Sequence, residues 1–500
     1  MRQVINPQMQ FGEQDISAIE FDPKSRDDIP QILRGLQYIY ITPELRERVF
    51  AILAEVTPPS TIDGKDAPAD ANTGRPGMEQ WKILVLGILR LGLNADFDRV
   101  HELANQHNTI RLMLGHGDWA DDTQYNLQTL KDNLRLFTPE LLDRINQEVV
   151  SAGHALIKKG PQETLNGRCD SFVVETDVHY PTDSNLLFDA LRKTIEVCAQ
   201  LCDEQDLSDW RQSAYNIRQL KKLYRRAQRI KHSTSKDEAK REARREEIKE
   251  AHRAYLEQAE AYLRRARDTG VTLVIGCGVL PLLLAELEAY IAHAERQIDQ
   301  IRRRVIHGET IPHAEKMFSI FEPHTEWISK GKAGVPVELG LRVCVLEDQH
   351  RFILYHQVME KITDDQVAVE MVEESRKRFP QLASVSMDKG FHSPANQRDL
   401  KERLDRVVLP KKGKLSAAEK AREGDPEFIR LRRSHSAVES AINALEVHGL
   451  DKCPDHGIGG FKRYVALAVV ARNIQRVGAI LYEHERERER RKRGPYKKAA

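Results

Sequence analysis

The sequence predicts an α/β protein whose sheet is preceded by an all-α N-terminal domain. Three observations support this prediction. Capped amphipathic helices recur over the first third of the chain, the hydrophobic period changes from helical to alternating near residue 168, and short strands alternate with helices after residue 338. At 500 residues the chain exceeds the size of one ordinary core, so we expect two or three domains.

The N-terminal part is predicted to be an arm followed by helices. Residues 1–30 lack periodicity, and the helical domain is expected over residues 31–160. Thr42 places an N-cap before a proline, which predicts a helix start. Residues 57–77 are rich in Pro, Gly, Asp and Ala and are predicted to form a linker. Further helices are predicted over Met78–Leu93 and Phe97–Leu114, from the cap candidates Asp122 and Thr123, and from Thr138.

The helix expected after Thr123 has one polar face. That face carries Gln124, Asn126, Gln128, Lys131 and Asn133. Amides and a lysine on a short helix that follows a tight helical pair are typical of a DNA recognition helix. A plain helical bundle with a polar outer face explains the same pattern, and by itself the pattern favours the bundle.

Beyond residue 161 the pattern is that of a mixed sheet. Ser171–Val178 predicts a strand, and residues 184–305 predict a long helical insertion interrupted near Thr269–Pro281. Strands are then predicted at Glu338–Leu346, Phe352–Val358, Leu382–Met387 and Arg406–Leu409, and helices at Asp364–Arg378, Pro394–Leu404, Glu427–Val447 and Tyr464–Tyr482. Without the insertion this order is that of a ribonuclease-H-like mixed sheet, so we predict such a core over residues 161–480.

Charge is balanced overall and basic locally. The net charge is +1, so the whole-molecule field predicts no polyanionic partner. Arg218–Asp268, however, holds 17 Lys and Arg against 9 Asp and Glu, and the tail over residues 481–500 is again basic. Screening limits each charge to about 8 Å at physiological salt, so a local basic surface can still meet phosphate. Solvated helix faces explain the first segment equally well.

Cysteine usage and hydropathy predict a cytoplasmic protein. The six cysteines are scattered without a CxxC pair, which is typical of reduced thiols. No run approaches eighteen apolar residues, and the N-terminus lacks the apolar core of a signal peptide. We therefore expect no membrane association.

Two carboxylates occupy positions suited to metal-dependent phosphoryl transfer on DNA. That chemistry needs carboxylates from rigid elements that converge on two cations roughly 3.5–4 Å apart, and Mg²⁺ accepts hard oxygen ligands. Asp388 ends a predicted strand, and Gly390 lets the backbone turn away at once. Glu439 lies between His435 and Asn443 on one stripe of a predicted helix. A turn-forming aspartate and an exposed glutamate are the ordinary alternatives.

Two groups of lysines are candidates for contacts with backbone phosphate. Lys330 and Lys332 flank a glycine, which is weak support. Lys411, Lys412 and Lys414 follow the last predicted strand and are therefore expected beside the candidate site.

Five segments in order resemble bacterial insertion-sequence transposases of the ISNCY and related DDE groups. They are VVETDVHYPTDSNLL from Val173, MFSIFEPHTEWISKGKAGVPVELGLRV from Met317, DKGFHSP from Asp388, LPKKGK from Leu409 and HSAVESAINALEVHGL from His435. The resemblance covers about Gly167–Asn473. Each motif is moderately specific, and five in order are strong support.

The resemblance implies a metal-dependent nuclease and strand-transfer enzyme with a ribonuclease-H-like catalytic core. Its catalytic ligands would be Asp170, Asp388 and Glu439, which hold two Mg²⁺ ions that Mn²⁺ can replace. Lys389, His435 and Asn443 would support them. The reaction it implies is cleavage at the ends of the insertion sequence, followed by transfer of the freed 3′ hydroxyl into target DNA.

The first catalytic aspartate has three candidates. Similar proteins carry it just ahead of the Val-Val-Glu-Thr stretch, which favours Asp170, although Phe172 stands where they have a small polar residue. On a period of two, Asp170 and Asp177 face opposite sides of the strand, so only one can face a common site. We favour Asp170 and keep Asp177 as the alternative. Asp183 is predicted to be the N-cap of the next helix.

The expected partner is double-stranded DNA, both at the element ends and at the target. Synapsis of two DNA ends predicts at least a homodimer, and the bacterial nucleoid is the expected place. A non-catalytic DNA-binding or oligomerising protein that retains the fold is the main alternative. A ribonuclease-H-fold nuclease outside transposition is the third possibility.

Overall fold

The structure is a computed structural model, and it divides the chain into two units. The larger unit is Met1–Asp177 with Gly340–Ala500, and the smaller unit is Val178–Leu339. The residues described are 3–6, 14–22, 24–56, 77–117, 121–157, 160, 163–277, 279, 284–329 and 337–493.

Among the described residues, seven α-helices precede the sheet in the larger unit. They are α1 (Ile29–Ile41), α2 (Pro43–Leu53), α3 (Gln80–Gly92), α4 (Phe97–Gln106), α5 (Asn108–Met113), α6 (Leu127–Leu134) and α7 (Pro139–Ile157). The helix starts predicted at Pro43 and Pro139 are confirmed. Of the predicted linker, only Gly77 lies within the described residues.

Two predicted helix bounds in this region are wrong for local reasons. The helix predicted over Phe97–Leu114 is interrupted at His107, whose backbone is extended and whose ring accepts a hydrogen bond from the next helix. The helix predicted to follow Asp122 and Thr123 begins at Leu127, because the side chain of Asn126 is its N-cap. In both cases a side chain caps the backbone at a point that the hydrophobic period does not reveal.

The smaller unit contains the predicted helical insertion. Its helices are α8 (Asp183–Glu204), α9 (Ser213–Arg229), α10 (Glu238–Val271) and α11 (Ala285–Ile301). They share their own apolar core, in which Trp210 donates a hydrogen bond to Thr269 at 2.9 Å. α10 ends close to the predicted interruption.

Seven strands form one mixed sheet, which confirms the predicted α/β class. The strands are β1 (Leu165–Thr176), β2 (Glu326–Ser329), β3 (Val337–Glu347), β4 (Ile353–Met359), β5 (Leu382–Met387), β6 (Arg406–Val408) and β7 (Lys452–Cys453). β1 pairs antiparallel with β3 and parallel with β5 and β7. β4 is antiparallel to β3, and β6 is parallel to β5. β1 therefore lies in the middle of the sheet.

Six helices follow the central strands. They are α12 (Asp364–Arg378), α13 (Pro394–Arg403), α14 (Ala417–Glu423), α15 (Pro426–His435), α16 (Ala437–Leu445) and α17 (Gly457–Arg493). The single helix predicted over Glu427–Val447 is two helices, α15 and α16. They separate at Ser436, whose hydroxyl donates to the carbonyl of Arg433 at 2.9 Å. α14, β2 and β7 were not predicted.

α17 is the central helix of the larger unit, because the N-terminal helices and the sheet pack around it. Its apolar residues belong to one core with those of α1, α3, α7 and the strands. In the described part of the chain it is the one helix long and apolar enough to cross a membrane, yet 78% of its most apolar window is buried inside the protein. Such burial is that of a core helix. The predicted helical domain and the predicted sheet thus share this core.

Two glycines let α1 and α17 cross in direct backbone contact. A Cβ on Gly35 would lie 2.2 Å from the carbonyl oxygen of Ile474, and one on Gly478 would lie 1.8 Å from that of Gln31. Real side chains do not approach backbone so closely, so the crossing requires glycine at both positions.

Gly478→Ala is expected to lower the free energy of unfolding by at least about 2 kcal/mol, because the added methyl group overpacks this crossing. Urea unfolding followed by circular dichroism measures the change. Gly459→Ala in the same helix is the matched control, since a Cβ there meets nothing within 4 Å. The close crossing is wrong if both variants unfold at the wild-type urea concentration.

Candidate active site

The pairing of β1 with β5 brings two of the predicted catalytic residues together. Cys169 on β1 lies opposite Met387 on β5 in the parallel register. The next residues along the two strands are Asp170 and Asp388. Because neighbouring strands are about 4.8 Å apart, the two aspartates are neighbours across the strands. Asp170 is half-buried and Asp388 is exposed.

Asp388 lies at a tight turn that leaves room between carboxylates. Its Oδ1 accepts a hydrogen bond from the backbone N–H of Gly390. A Cβ on Gly390 would lie 2.9 Å from that oxygen and 3.1 Å from Oδ2 of Asp364. The glycine therefore keeps a small space open between the carboxylates of Asp388 and Asp364.

Asp364 was not predicted as a site residue. It is the first residue of α12, after the capping Thr363, and its Oδ1 accepts a hydrogen bond from the hydroxyl of Ser171 at 2.6 Å. Ser171 follows Asp170 on β1. An acidic residue in the first turn of a helix is common because it offsets the helix dipole, so the sequence carried no signal for this position.

His435 on α15 and Glu439 on α16 reach the same region. Glu439 is exposed on α16, which is anchored by the buried Val438 and Leu445. The ring of His435 lies 3.1 Å, through Nδ1, from the hydroxyl of Ser386 on β5. Burial lowers the pKa of His435, while the negative charges of Asp388 and Glu439 act in the opposite direction. A histidine with a lowered pKa is neutral at pH 7.

The negative charges of three other carboxylates act on Asp170. The pKa of Asp170 is raised to about 6, mainly by burial and then by the charges of Asp388, Asp364 and Glu439. The backbone N–H of Ser171, which donates to Asp170 at 2.8 Å, offsets part of this effect. We call Asp170, Asp364, Asp388 and Glu439 the acidic group.

The acidic group fits Mg²⁺ or Mn²⁺ in its donor chemistry. All four members offer carboxylate oxygens, the ligands that these ions prefer. The space beside Gly390 separates two of them. Across the described ranges, no three His, Cys, Asp or Glu side chains converge closely enough to hold an ion. Ligation of a metal would therefore require the carboxylates to move closer together.

The two other aspartates near the first strand lie elsewhere. Asp177 is exposed after the end of β1, and its Oδ1 lies 2.6 Å from the ammonium group of Lys452. Asp183 is the first residue of α8 and pairs with Arg304 at 2.9 Å. The prediction that Asp183 is an N-cap is wrong, since the side chain of Thr182 has that role.

The other supporting residues and lysines are placed as follows. Lys389 and Asn443 are exposed, next to Asp388 and on α16 respectively. Lys411 is ion-paired with Glu419 at 2.8 Å. Lys412 and Lys414 are exposed beyond the carboxyl end of β6, with no ion pair to any residue that the structure describes. The predicted phosphate contacts Lys330 and Lys332 lie outside the described residues.

The polar face predicted for a DNA recognition helix lies only partly on α6. Gln124 and Asn126 precede α6, and Asn126 uses its side chain as the N-cap. Gln128 is exposed and donates to Asp132 at 2.8 Å. Lys131 lies within α6 and is the one charged residue of the predicted face.

Comparison of the chain with protein-family models, with curated proteins and with solved structures found no match.

Replacing Asp170 by Asn is expected to stabilise the protein in metal-free buffer, and the gain should depend on pH. The pKa of Asp170 is raised from 3.8 to about 6. Near pH 3.5 both folded and unfolded chains are largely protonated, so little is gained. As pH rises from 4 to 6 the carboxyl of Asp170 ionises in the unfolded chain but stays largely protonated in the folded one, so the wild type loses stability relative to the variant. Above pH 6 the gain reaches at most about 3 kcal/mol.

Thermal unfolding at pH 4 and pH 7.5 in EDTA tests this expectation. Asp177→Asn is the matched control, because Asp177 is exposed and ion-paired and should change stability by less than about 1 kcal/mol at either pH. A gain for Asp170→Asn that is equal at the two pH values would contradict the raised pKa of Asp170.

Proposed function

We propose that this protein is a DNA transposase of the DDE type. One observation carries the proposal: the register of β1 against β5 makes Asp170 and Asp388 neighbours, and the charge of Glu439 acts on the same carboxyl group. These are the three residues that the resemblance to insertion-sequence transposases implies as catalytic. They come from two strands and a helix that are far apart in the chain.

The sheet order supports a ribonuclease-H-like core. β3 is antiparallel to both β4 and β1, and β5 and β6 continue the sheet on the other side of β1 as strands parallel to β1. These strands occur in the order from which the sequence predicts a ribonuclease-H-like core. The helices of Val178–Leu339 then correspond to an insertion between the first two core strands.

Asp170, Asp388 and Glu439 would hold two Mg²⁺ ions, or Mn²⁺ in their place. When bound, such ions activate the attacking oxygen and stabilise the leaving oxygen of a phosphodiester. The hydroxyl of Ser171 holds the carboxylate of Asp364 beside Asp388. His435 is held by Ser386 against β5 and, being neutral, adds no positive charge to the acidic group.

The reaction proposed has two phosphoryl transfers. Water first attacks the phosphodiester at an element end and frees a 3′ hydroxyl. That hydroxyl then attacks a phosphodiester of the target DNA, and the displaced target strand leaves with its own 3′ hydroxyl. Lys412 and Lys414, which are exposed beyond β6, would contact backbone phosphate.

The partner in this proposal is double-stranded DNA in the bacterial cytoplasm. The N-terminal helices would bind the element ends, and at least a homodimer would hold two ends together. The smaller unit, with its separate helical core, is where we place the contact between protomers.

A non-catalytic DNA-binding protein is the second candidate. It is favoured by the absence, among the described residues, of three side chains converged for metal binding. Such a protein would have no need of Asp170, Asp388 and Glu439 together, and its DNA affinity would be independent of Mg²⁺.

Glu439→Gln is expected to abolish Mg²⁺-dependent nicking, by at least about 100-fold, while DNA affinity changes by less than about threefold. The substrate is a supercoiled plasmid that carries the genomic segments flanking the coding sequence. Asp388→Asn should behave in the same way, whereas Asp177→Asn should nick at the wild-type rate because it lies outside the acidic group.

Unchanged nicking by Glu439→Gln would overturn the catalytic assignment. Wild-type protein that binds the flanking DNA without cutting it would support the non-catalytic candidate. Cutting without joined products in the same assay would identify a nuclease outside transposition.

Mg²⁺ is expected to raise the unfolding temperature of the wild type and to have little effect on Asp170→Asn. An ion at ten times its dissociation constant stabilises the folded state by about 1.4 kcal/mol, and it would also relieve the repulsion within the acidic group. Differential scanning fluorimetry over 0–20 mM MgCl₂ measures the shift. Asp177→Asn should retain the wild-type response, and an equal response from all three proteins would place the ion elsewhere.

A further inference from the structure

A basic cavity of about 560 Å³ lies in the larger unit, and none of its lining residues belongs to β1 or β5. It is bordered by α3, α6 and the amino end of α17. Four of its lining residues are cationic and one is an aspartate: Arg90, Lys131, Arg135, Arg463 and Asp455. A volume of this size is typical of small-ligand sites, which span roughly 300–1,000 Å³.

Arg90 is a buried cation in the wall of this cavity. Its side chain is 4% exposed and donates two hydrogen bonds to Asp455, at 2.6 and 3.2 Å. Its guanidinium carbon lies 3.9 Å from the ring centroid of Phe97. The Nε–H has no hydrogen-bond partner among the residues that the structure describes. A buried charged donor without a partner is costly. Arg90 lines the cavity, so an anion there would place a negative charge beside this buried cation.

The amino end of α17 adds a second feature that favours an anion. α17 is 37 residues long and starts at Gly457, which has a φ of +73°. Gly460, in its first turn, lines the cavity. The amino end of a helix carries about half a positive charge, and glycine lets an oxygen approach its backbone N–H groups closely.

The charge in the cavity is incompletely neutralised. Asp455 is shared between Arg90 and Arg463, the latter at 3.6 Å. Lys131 and Arg135 have no ion pair within the described part of the chain. Lys131 lies 5.8 Å above the ring of Phe97, which holds its ammonium group at the cavity wall. The site therefore has an excess of positive charge that suits a multiply charged anion.

We propose that this cavity binds a phosphate ester. Lys131, Arg135 and Arg463 neutralise its charge, and the first turn of α17 donates backbone hydrogen bonds to its oxygens. The phosphate is that of a DNA backbone or of a free nucleotide. If the phosphate belongs to DNA, the inference rests on the proposed function. Lys131 would then contact the DNA backbone and would not read a base. Phosphate binding itself does not require the proposed reaction.

The test compares two double charge reversals in the full chain. Lys131→Glu/Arg135→Glu alters the cavity, and Arg398→Glu/Lys401→Glu on α13 changes two exposed residues by the same charge. Fluorescence anisotropy measures binding of a labelled 20-base-pair duplex, and titration calorimetry measures binding of AMP. We expect the cavity variant to lose at least tenfold in affinity for the duplex, for AMP or for both, and the control to lose less than threefold. Lys131→Gln/Arg135→Gln, a milder change, should give a smaller loss of the same kind.

The two ligands separate the sources of phosphate. A loss of affinity for the duplex alone identifies the DNA backbone. The slope of the logarithm of the binding constant against the logarithm of salt concentration should then fall by the equivalent of about two phosphate contacts. A loss for AMP as well identifies a nucleotide site. The proposal is overturned if the wild type binds neither ligand or if the cavity variant and the control lose the same affinity. Loss of AMP binding in a protein that never nicks DNA would leave this site standing while the transposase proposal fails.

Discussion

The parallel pairing of β1 with β5 is the interaction on which the candidate site depends. β1 is held on its other side by β3 and near its end by β7, so its register is set by three neighbours. A slip of one residue would turn Asp170 to the opposite face of the sheet. Packing opposes such a slip, since a Cβ on Gly167 would lie 2.9 Å from a methyl carbon of Leu346. The packing of the core around β1 therefore determines the geometry of the acidic group.

The acidic group is costly for stability compared with other carboxylates of the same unit. Asp143 is paired with Arg378 at 2.7 Å, and Asp177 with Lys452. Asp170 instead has a raised pKa because it is buried among other carboxylates. An asparagine at position 170 would remove this buried carboxyl group. If the residue served the fold alone, the protein would be more stable with asparagine there. Perturbed carboxylates held by rigid elements are typical of functional sites.

The sequence predicted the helices and strands that carry the acidic group better than it predicted which residues belong to that group. The bounds of α12 and β5 match the prediction, because turn residues separate periodic segments on both sides. Asp388 and Glu439 were found from their positions at a strand end and on a helix stripe. Asp364 was missed because an acidic first turn has an ordinary explanation. The breaks at His107 and Ser436 depend on single side chains that satisfy local backbone groups, which periodicity cannot detect.

The basic cavity could not be predicted, because Arg90, Lys131 and Arg463 meet only when α3, α6 and α17 pack. Its separation from the acidic group has a physical consequence for a chain of net charge +1. Without a cation, the carboxylates of the acidic group would repel a phosphodiester, so the DNA of the proposed function would have to be held by basic surface elsewhere. Under that proposal, DNA binding would depend on salt, whereas the acidic group would need a divalent cation. Two surfaces of opposite charge in one unit would therefore allow a DNA segment of the proposed substrate to bind before its phosphodiester enters the acidic group.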